Sequence, residues 1–282
     1  MADAIDGAVR YELQGSVAWV TIDRVESRNA LNATVRRGLF DTFERFIADD
    51  DAKVLVLTGA GDRIFCSGGD LVEMAETNLK VPPPDYLPIF GRNMEMPKPT
   101  IAAVNGLAYA GGFLLAQMCD LCIAARTATF AITEATVGRG APWAMPLPRL
   151  VPPRVAMQML MVGEPIDAAR AREIGLVNEV VSLSDLRTTA QRLGEAIAAN
   201  APLAVAAARG LPGMRADPPG RPRSGRRAPR CGRRPRRRSP VHLESTRRPS
   251  RGPRPRPGAR WRRWSRPSAA RSCAGRRATP LR

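Results

Sequence analysis

The chain has 282 residues, with 44 Lys and Arg against 26 Asp and Glu and a formal net charge of +18. Residues 1–209 carry 20 Lys and Arg and 24 Asp and Glu, a net of −4, whereas the last 73 carry 24 Arg, no Lys, and only Asp217 and Glu244. The basic character therefore belongs to the C-terminal quarter alone, and a mildly acidic body of this length can bury roughly 70% of its unfolded surface.

Val9–Leu13 and Val17–Asp23 read as two strands around Gln14-Gly15-Ser16, a hairpin signal. Asn32 or Thr34 can cap a helix running to about Ile47, whose apolar positions Val35, Leu39, Phe43 and Ile47 form one stripe. Val54–Thr58 is a short continuous apolar strand, of the kind buried on both faces. It leads into Gly59-Ala60-Gly61, then Phe65-Cys66-Ser67-Gly68-Gly69-Asp70, then a helix from Leu71. Thr100–Val104 is a second buried strand ending in Asn105-Gly106, with a helix from about Gly111-Gly112, and Leu121–Ala125 is a third. Arg154–Val162 and Ala168–Ile174 read as helices, Val177–Val181 as a strand, and Ser184–Ala199 as a helix capped by Ser184 or Asp185. The recurrence of strand, glycine turn and helix predicts α/β architecture with a crossover sheet.

No apolar run reaches the ~20 residues that span a bilayer, and Met1–Gly7 carries Asp3 and Asp6 where a signal peptide would be basic and then apolar. A cytoplasmic location is the expectation. Cys119 and Cys122 have CxxC spacing, but they lie in the apolar run MCDLCIAA with no second pair nearby, so buried thiols are expected rather than a metal or redox site. The single histidine, His242, lies in the basic tail, which leaves the body without histidine catalysis.

Four stretches, in order and spacing, resemble the crotonase (enoyl-CoA hydratase/isomerase) family. They are Asp23-Arg24-Val25-Glu26-Ser27-Arg28-Asn29-Ala30-Leu31-Asn32; the loop Phe65-Cys66-Ser67-Gly68-Gly69-Asp70-Leu71; Lys98-Pro99-Thr100-Ile101-Ala102-Ala103-Val104-Asn105-Gly106 with Ala110-Gly111-Gly112 and Met118-Cys119-Asp120; and Ala168 through Val181. The resemblance implies a crotonase-like ββα-superhelix spiral core over residues 1–209. It also implies an acyl-CoA thioester substrate and no cofactor or metal beyond the coenzyme A that the substrate carries. Family members assemble as homotrimers or dimers of trimers.

A thioester carbonyl becomes an enolate when a proton leaves its α carbon or a nucleophile adds at its β carbon, and fixed donors must meet the oxyanion. Matched residue by residue, the resemblance places those donors at the amides of Gly69 and Gly111. Glycine suits both, because the backbone must approach the thioester without an intervening Cβ. Of the family's two hydratase glutamates, the first falls on Leu114, which cannot transfer a proton, and the second on Glu134. Ser27 and Arg28 fall where family members wrap the CoA, and Gly68, Asp70 and Leu71 complete the implied binding loop, with Asp70 better suited to capping the following helix. Trp143 and Met145 fit either an acyl pocket or plain packing. One carboxylate is enough to move a proton from C2 to C4 of one enolate, so isomerase-type chemistry is the expectation. A hydratase proper and an impaired acyl-CoA binder are the alternatives.

From residue 213 on, Pro, Arg, Gly and Ser dominate without apolar periodicity, a composition that does not offset the entropy of ordering. Residues 210–282 are therefore expected to form a disordered tail. It replaces the family's C-terminal helices and looks like GC-rich coding sequence read in another frame, and trimer assembly is expected to be impaired without those helices. Arg236-Arg237-Arg238 with Trp261 and Trp264 would also bind polyanions non-specifically, the non-enzymatic alternative.

Overall fold

A computed structural model describes residues 3–5, 7–79 and 81–210. The expectations for the basic tail lie outside the described residues.

The body is built from β1 (Asp3–Ile5), β2 (Val9–Gln14), β3 (Val17–Ile22), α1 (Ala33–Ala48), β4 (Val54–Gly59), β5 (Ile64–Cys66) and α2 (Leu71–Glu76). After α2 come β6 (Thr100–Val104), β7 (Leu107–Tyr109), α3 (Gly111–Met118), β8 (Leu121–Ala125) and β9 (Thr129–Ala131). The last elements are α4 (Leu147–Leu150), α5 (Pro153–Val162), β10 (Ile166–Asp167), α6 (Ala168–Glu173), β11 (Glu179–Val181), α7 (Leu183–Ala198) and α8 (Pro202–Arg209).

A seven-stranded sheet runs β1-β2-β3-β4-β6-β8-β11 and a four-stranded one runs β10-β9-β7-β5. In the larger sheet β1 to β3 pair antiparallel, and β3, β4, β6, β8 and β11 are parallel. Three consecutive units, β4–β5, β6–β7 and β8–β9, each give a long strand to the larger sheet and a three-residue strand to the smaller. The chain thus climbs as a spiral of ββα turns, the α/β architecture expected from the sequence.

The strand pattern explains the layers. Val17 and Trp19, Val54 and Val56, Ile101 and Ala103, and Ile123 and Ala125 pack with Leu186 and Ala190 of α7 on one face. The alternating residues Ala18, Val20, Ile22, Leu55, Leu57, Ala102, Val104 and Ala124 face the larger core, with Phe113, Phe130 and α1. Both faces are covered, which is why these strands are continuously apolar. Trp19 donates its indole N–H to Gln191 Oε1 at 2.7 Å, so α7 is seated by a buried polar contact as well as by apolar area.

α1 begins where Asn32 Oδ1 accepts the Val35 amide, and Val35, Leu39, Phe43 and Phe46 are fully buried along it. α7 starts earlier than the sequence suggests. Ser182, not Ser184 or Asp185, is the cap, its Oγ accepting the Asp185 amide. The short strands β5, β7, β9 and β10 are absent from the sequence reading, and β11 is shorter than the Val177–Val181 expected. No helix among the described residues is long and apolar enough to cross a membrane.

Candidate active site

Three of the residues singled out from the sequence follow three neighbouring strands of the small sheet. Gly69 lies three residues past β5, Gly111 two past β7 and Glu134 three past β9. The three strands are parallel and adjacent in the order β9-β7-β5. Successive strands stand about 4.8 Å apart, and crevices at the carboxyl ends of parallel strands are where open α/β sheets hold ligands.

The two glycine segments touch. A Cβ built on Gly111 would stand 3.6 Å from Gly68 Cα and 3.9 Å from the Gly68 carbonyl carbon, the atom to which Gly69 N is bonded. Gly68 has φ +99, and a Cβ there would lie 2.7 Å from Ala110 Cβ and 3.2 Å from Gly111 N. Glycine is thus required at 68 both by backbone conformation and by the approach of the second segment. Among the described residues, the amides of Gly69 and Gly111 donate to no backbone or side-chain acceptor. Gly111 opens α3, whose first intrahelical amide is that of Leu114, donating to Ala110 at 3.0 Å. Its N–H therefore also carries the positive end of the helix dipole.

The loops are held from below by two asparagines. Asn29, fully buried, donates to the carbonyls of Ala60 at 3.0 Å and Ile64 at 2.8 Å and accepts the Arg24 amide at 3.0 Å. Asn105 donates to Gly61 at 3.0 Å and Ile64 at 3.2 Å. The Ser67 amide donates to the Arg28 carbonyl at 3.2 Å, and that of Leu31 to the Gly68 carbonyl at 2.8 Å. The Ser27–Arg28 turn is thereby tied to the glycine loop, with Arg28 left-handed at φ 57 and exposed.

Glu134 begins a 3-10 turn over Glu134–Val137. Its Oε1 accepts the Trp143 indole N–H at 2.9 Å, and its Oε2 is buried with no protein partner. Burial pushes the carboxyl above its usual range, opposed more weakly by its own amide, Trp143 and Arg139. β9 connects it to Gly111, because the Ala131 carbonyl accepts the amide of Ala110, the residue before Gly111, at 3.1 Å.

The remaining implied binding residues divide. Asp70 caps α2 with Oδ1, which accepts the amides of Val72 and Glu73, and accepts Arg24 Nη1 on Oδ2 at 2.5 Å. Chiefly through that Arg24 bond its carboxyl is held below the usual range. Both oxygens are engaged, which fits capping better than contact with substrate. Leu71 is exposed on α2, and Leu114 is buried on α3 in the larger core. Met145 is 64% exposed and packs little, whereas Trp143 is the hydrogen-bond partner of Glu134, a relation the sequence does not signal. Cys119 and Cys122 are buried free thiols, and burial pushes Cys122 up to about 12. Asp120 accepts the amide and hydroxyl of Thr100, each at 2.9 Å, and Arg209 Nε at 2.9 Å, which docks the end of α8.

Two cavities lie away from these residues. One of about 100 Å³ is lined by Gln117, Cys119 and Leu176 among others, and one of about 240 Å³ lies beside Met159 and Arg170. Neither contains Gly69, Gly111 or Glu134. The carboxyl ends of β5, β7 and β9 are the better candidate because two unengaged amides and a buried carboxylate oxygen lie just beyond them.

Residues 12–211 match the model of the family described as enoyl-CoA hydratase/isomerase. The chain belongs to the enoyl-CoA hydratase/isomerase family. It is 41% identical over 208 residues to an (E)-benzylidenesuccinyl-CoA hydratase of Thauera aromatica, covering 71% of this chain and 79% of that one. It is 38% identical over 200 residues to a carnitinyl-CoA dehydratase of Proteus mirabilis, covering 69% and 76%. Among solved structures, a carnitinyl-CoA dehydratase from Mycobacterium avium superposes with a TM-score of 0.66 at 39% identity, covering 72% of this chain and 80% of that one. An enoyl-CoA hydratase from Mycobacterium tuberculosis does so at 0.63 and 37%, covering 71% and 85%. The enoyl-CoA hydratase/isomerase fold thus accounts for the spiral core, and the chain is an acyl-CoA-metabolising enzyme of that family.

Proposed function

We propose that this enzyme forms the enolate of an acyl-CoA thioester, with the amides of Gly69 and Gly111 receiving the thioester oxygen and Glu134 moving the α proton. The observation that carries this reading is the placement of two unengaged amides and one buried, unpartnered carboxylate oxygen after three adjacent parallel strands. The amides donate to the oxygen as it gains charge, and one such donor contributes on the order of 3 kcal/mol to the transition state. Glu134, raised by burial, takes the α proton as carboxylate and holds it as a neutral acid, so the same group can return it.

The product depends on where the proton returns. With Leu114 in the other carboxylate position, Glu134 serves alone, and delivery of its proton to the γ carbon is the allylic isomerisation that one carboxylate performs directly. A second reading, hydration or dehydration, is favoured by the hydratase and dehydratase names of the relatives. It needs a further polar group to hold the oxygen at the β carbon.

The shared step is tested by following deuterium uptake at the α carbon of a saturated acyl-CoA in heavy water. The native chain should exchange, and Glu134→Gln should lose roughly 10²- to 10⁴-fold of the rate. Tight binding of the acyl-CoA without exchange would mark the chain as a binder and remove the enzymatic reading.

A further inference from the structure

A polar side chain, Tyr86, stands beside Gly69. A Cβ built on Gly69 would lie 3.7 Å from the hydroxyl oxygen of Tyr86, so the phenol sits within a side chain's width of one proposed oxyanion donor. Tyr86 lies between α2 and β6, on no regular element, and is half-buried against the larger core.

Its hydroxyl is fixed in place. Arg36 Nη1 donates to the Tyr86 oxygen at 3.1 Å, and the guanidinium carbon stands 4.0 Å over the ring centroid. Arg36 is itself anchored by Glu73 Oε2 at 2.6 Å and the Leu31 carbonyl at 2.8 Å, and Glu73 Oε1 accepts the Ala33 amide at 2.7 Å. Leu31 closes the ring of contacts, since it bridges to Gly69 and its Cδ1 would stand 2.9 Å from a Cβ on Gly111. The phenol, the arginine and both glycine segments form one connected cluster.

The polarity of these bonds decides what the hydroxyl can do. An arginine can only donate, so Tyr86 accepts from Arg36 and keeps its own O–H for another acceptor. Among the described residues no acceptor takes it. Burial holds the phenol protonated. The hydroxyl is thus an oriented neutral donor beside Gly69 with its proton uncommitted.

We infer that Tyr86 is a catalytic residue that donates a hydrogen bond to an oxygen at the β carbon of the acyl chain. This rests on the enolate reading of Gly69, Gly111 and Glu134 and supplies the group that the hydration reading lacks. In the dehydration direction the α C–H bond breaks and its proton passes to the Glu134 carboxylate. The electron pair forms the enolate and then the α,β double bond as the β C–O bond breaks. The departing hydroxyl, held by Tyr86, takes the proton back from Glu134 and leaves as water. Tyr86 stays protonated and Glu134 ends ionised as it began. The substrate class is acyl-CoA bearing a β-hydroxyl, or the 2-enoyl-CoA formed from it.

Tyr86→Phe in the full chain tests this, because phenylalanine keeps the ring under Arg36 and removes only the hydroxyl. Crotonyl-CoA hydration should fall about 10²-fold in kcat, while α-deuterium exchange of butyryl-CoA stays within about twofold, which also shows that the variant is folded. Equal hydration rates in the two proteins would overturn the role of Tyr86, as would loss of hydration and exchange together, which would mark a structural residue. A native chain that exchanges but does not hydrate also overturns it while leaving the enolate reading intact. A native chain that does neither overturns both.

Discussion

Trp143 donates its indole N–H to Oε1 of Glu134 at 2.9 Å and leaves Oε2 buried without a partner. One oxygen is thus held by the indole and the other is left without a protein partner. The bond also favours the charged form, pulling against the burial that raises the carboxyl. In Trp143→Phe that pull is gone, so the ascending limb of the pH–rate profile for α exchange should move to higher pH. The rate on the plateau should drop by roughly tenfold to a hundredfold, because the carboxyl is no longer aimed by the indole. An unmoved profile would show that the indole does not tune Glu134.

Glu134 should cost stability at high pH. Its carboxyl titrates higher in the folded chain than in the unfolded one. Between the two values the unfolded chain has released the proton and the folded chain has kept it, so stability falls as pH rises through that window and levels off above the folded value. Below the unfolded value both states hold the proton and the contribution vanishes. Glu134→Gln keeps an acceptor for Trp143 and removes the titration. In urea unfolding its stability relative to the native chain should rise as pH is raised through the window, although activity is lost.

Asp70 has the opposite sign. Arg24 holds its carboxyl below the unfolded value, so its contribution is complete above that value and is lost as pH falls through the folded one. Asp70→Ala removes the cap of α2 and the partner of Arg24 and should cost about 1–2 kcal/mol at pH 7. The difference between variant and native chain should shrink in acid, which urea titrations at both pH values would read. A difference independent of pH would mean that packing, not charge, is lost.

Ala110 stores backbone strain at the site. It has φ 48 and ψ −121 immediately before Gly111, a sparsely populated conformation that costs a non-glycine residue about 1–3 kcal/mol. Ala110→Gly should therefore raise stability by about 1 kcal/mol even though it adds a glycine. Gly68→Ala should be destabilising, since it adds a Cβ at φ +99 and 2.7 Å from Ala110 Cβ. That cost should be smaller in the Ala110→Gly background, a coupling that a double-mutant cycle would measure.

Length and pattern decide which elements are legible in the sequence. The α1 stripe and the continuous apolar strands β3, β4, β6 and β8 are long enough for periodicity to show, and they sit within a residue or two of where it places them. The small sheet is different. Strands of two or three residues such as β5, β7, β9 and β10 carry no period, and their pairing is set by the spiral that stacks one turn on the next. The glycines are legible because close approach demands the residue type, and Glu134 is legible by its place in a motif. Trp143 and Tyr86 are not. Trp143 lies in a three-residue 3-10 turn, Pro142–Ala144, and Tyr86 on irregular chain, and the relation of each to Glu134 or Gly69 exists only in three dimensions. At the start of α7 the sequence offers Ser184 or Asp185 as the cap, and the structure uses Ser182, earlier in the chain.

The most direct measurement of the central claim is a crystal structure of the full chain with a saturated acyl-CoA bound. The account predicts the thioester oxygen at about 2.7–3.1 Å from both Gly69 N and Gly111 N, with Glu134 Oε2 facing the α carbon. A thioester oxygen held by other groups, or a Glu134 carboxyl turned away from the α carbon, would contradict it.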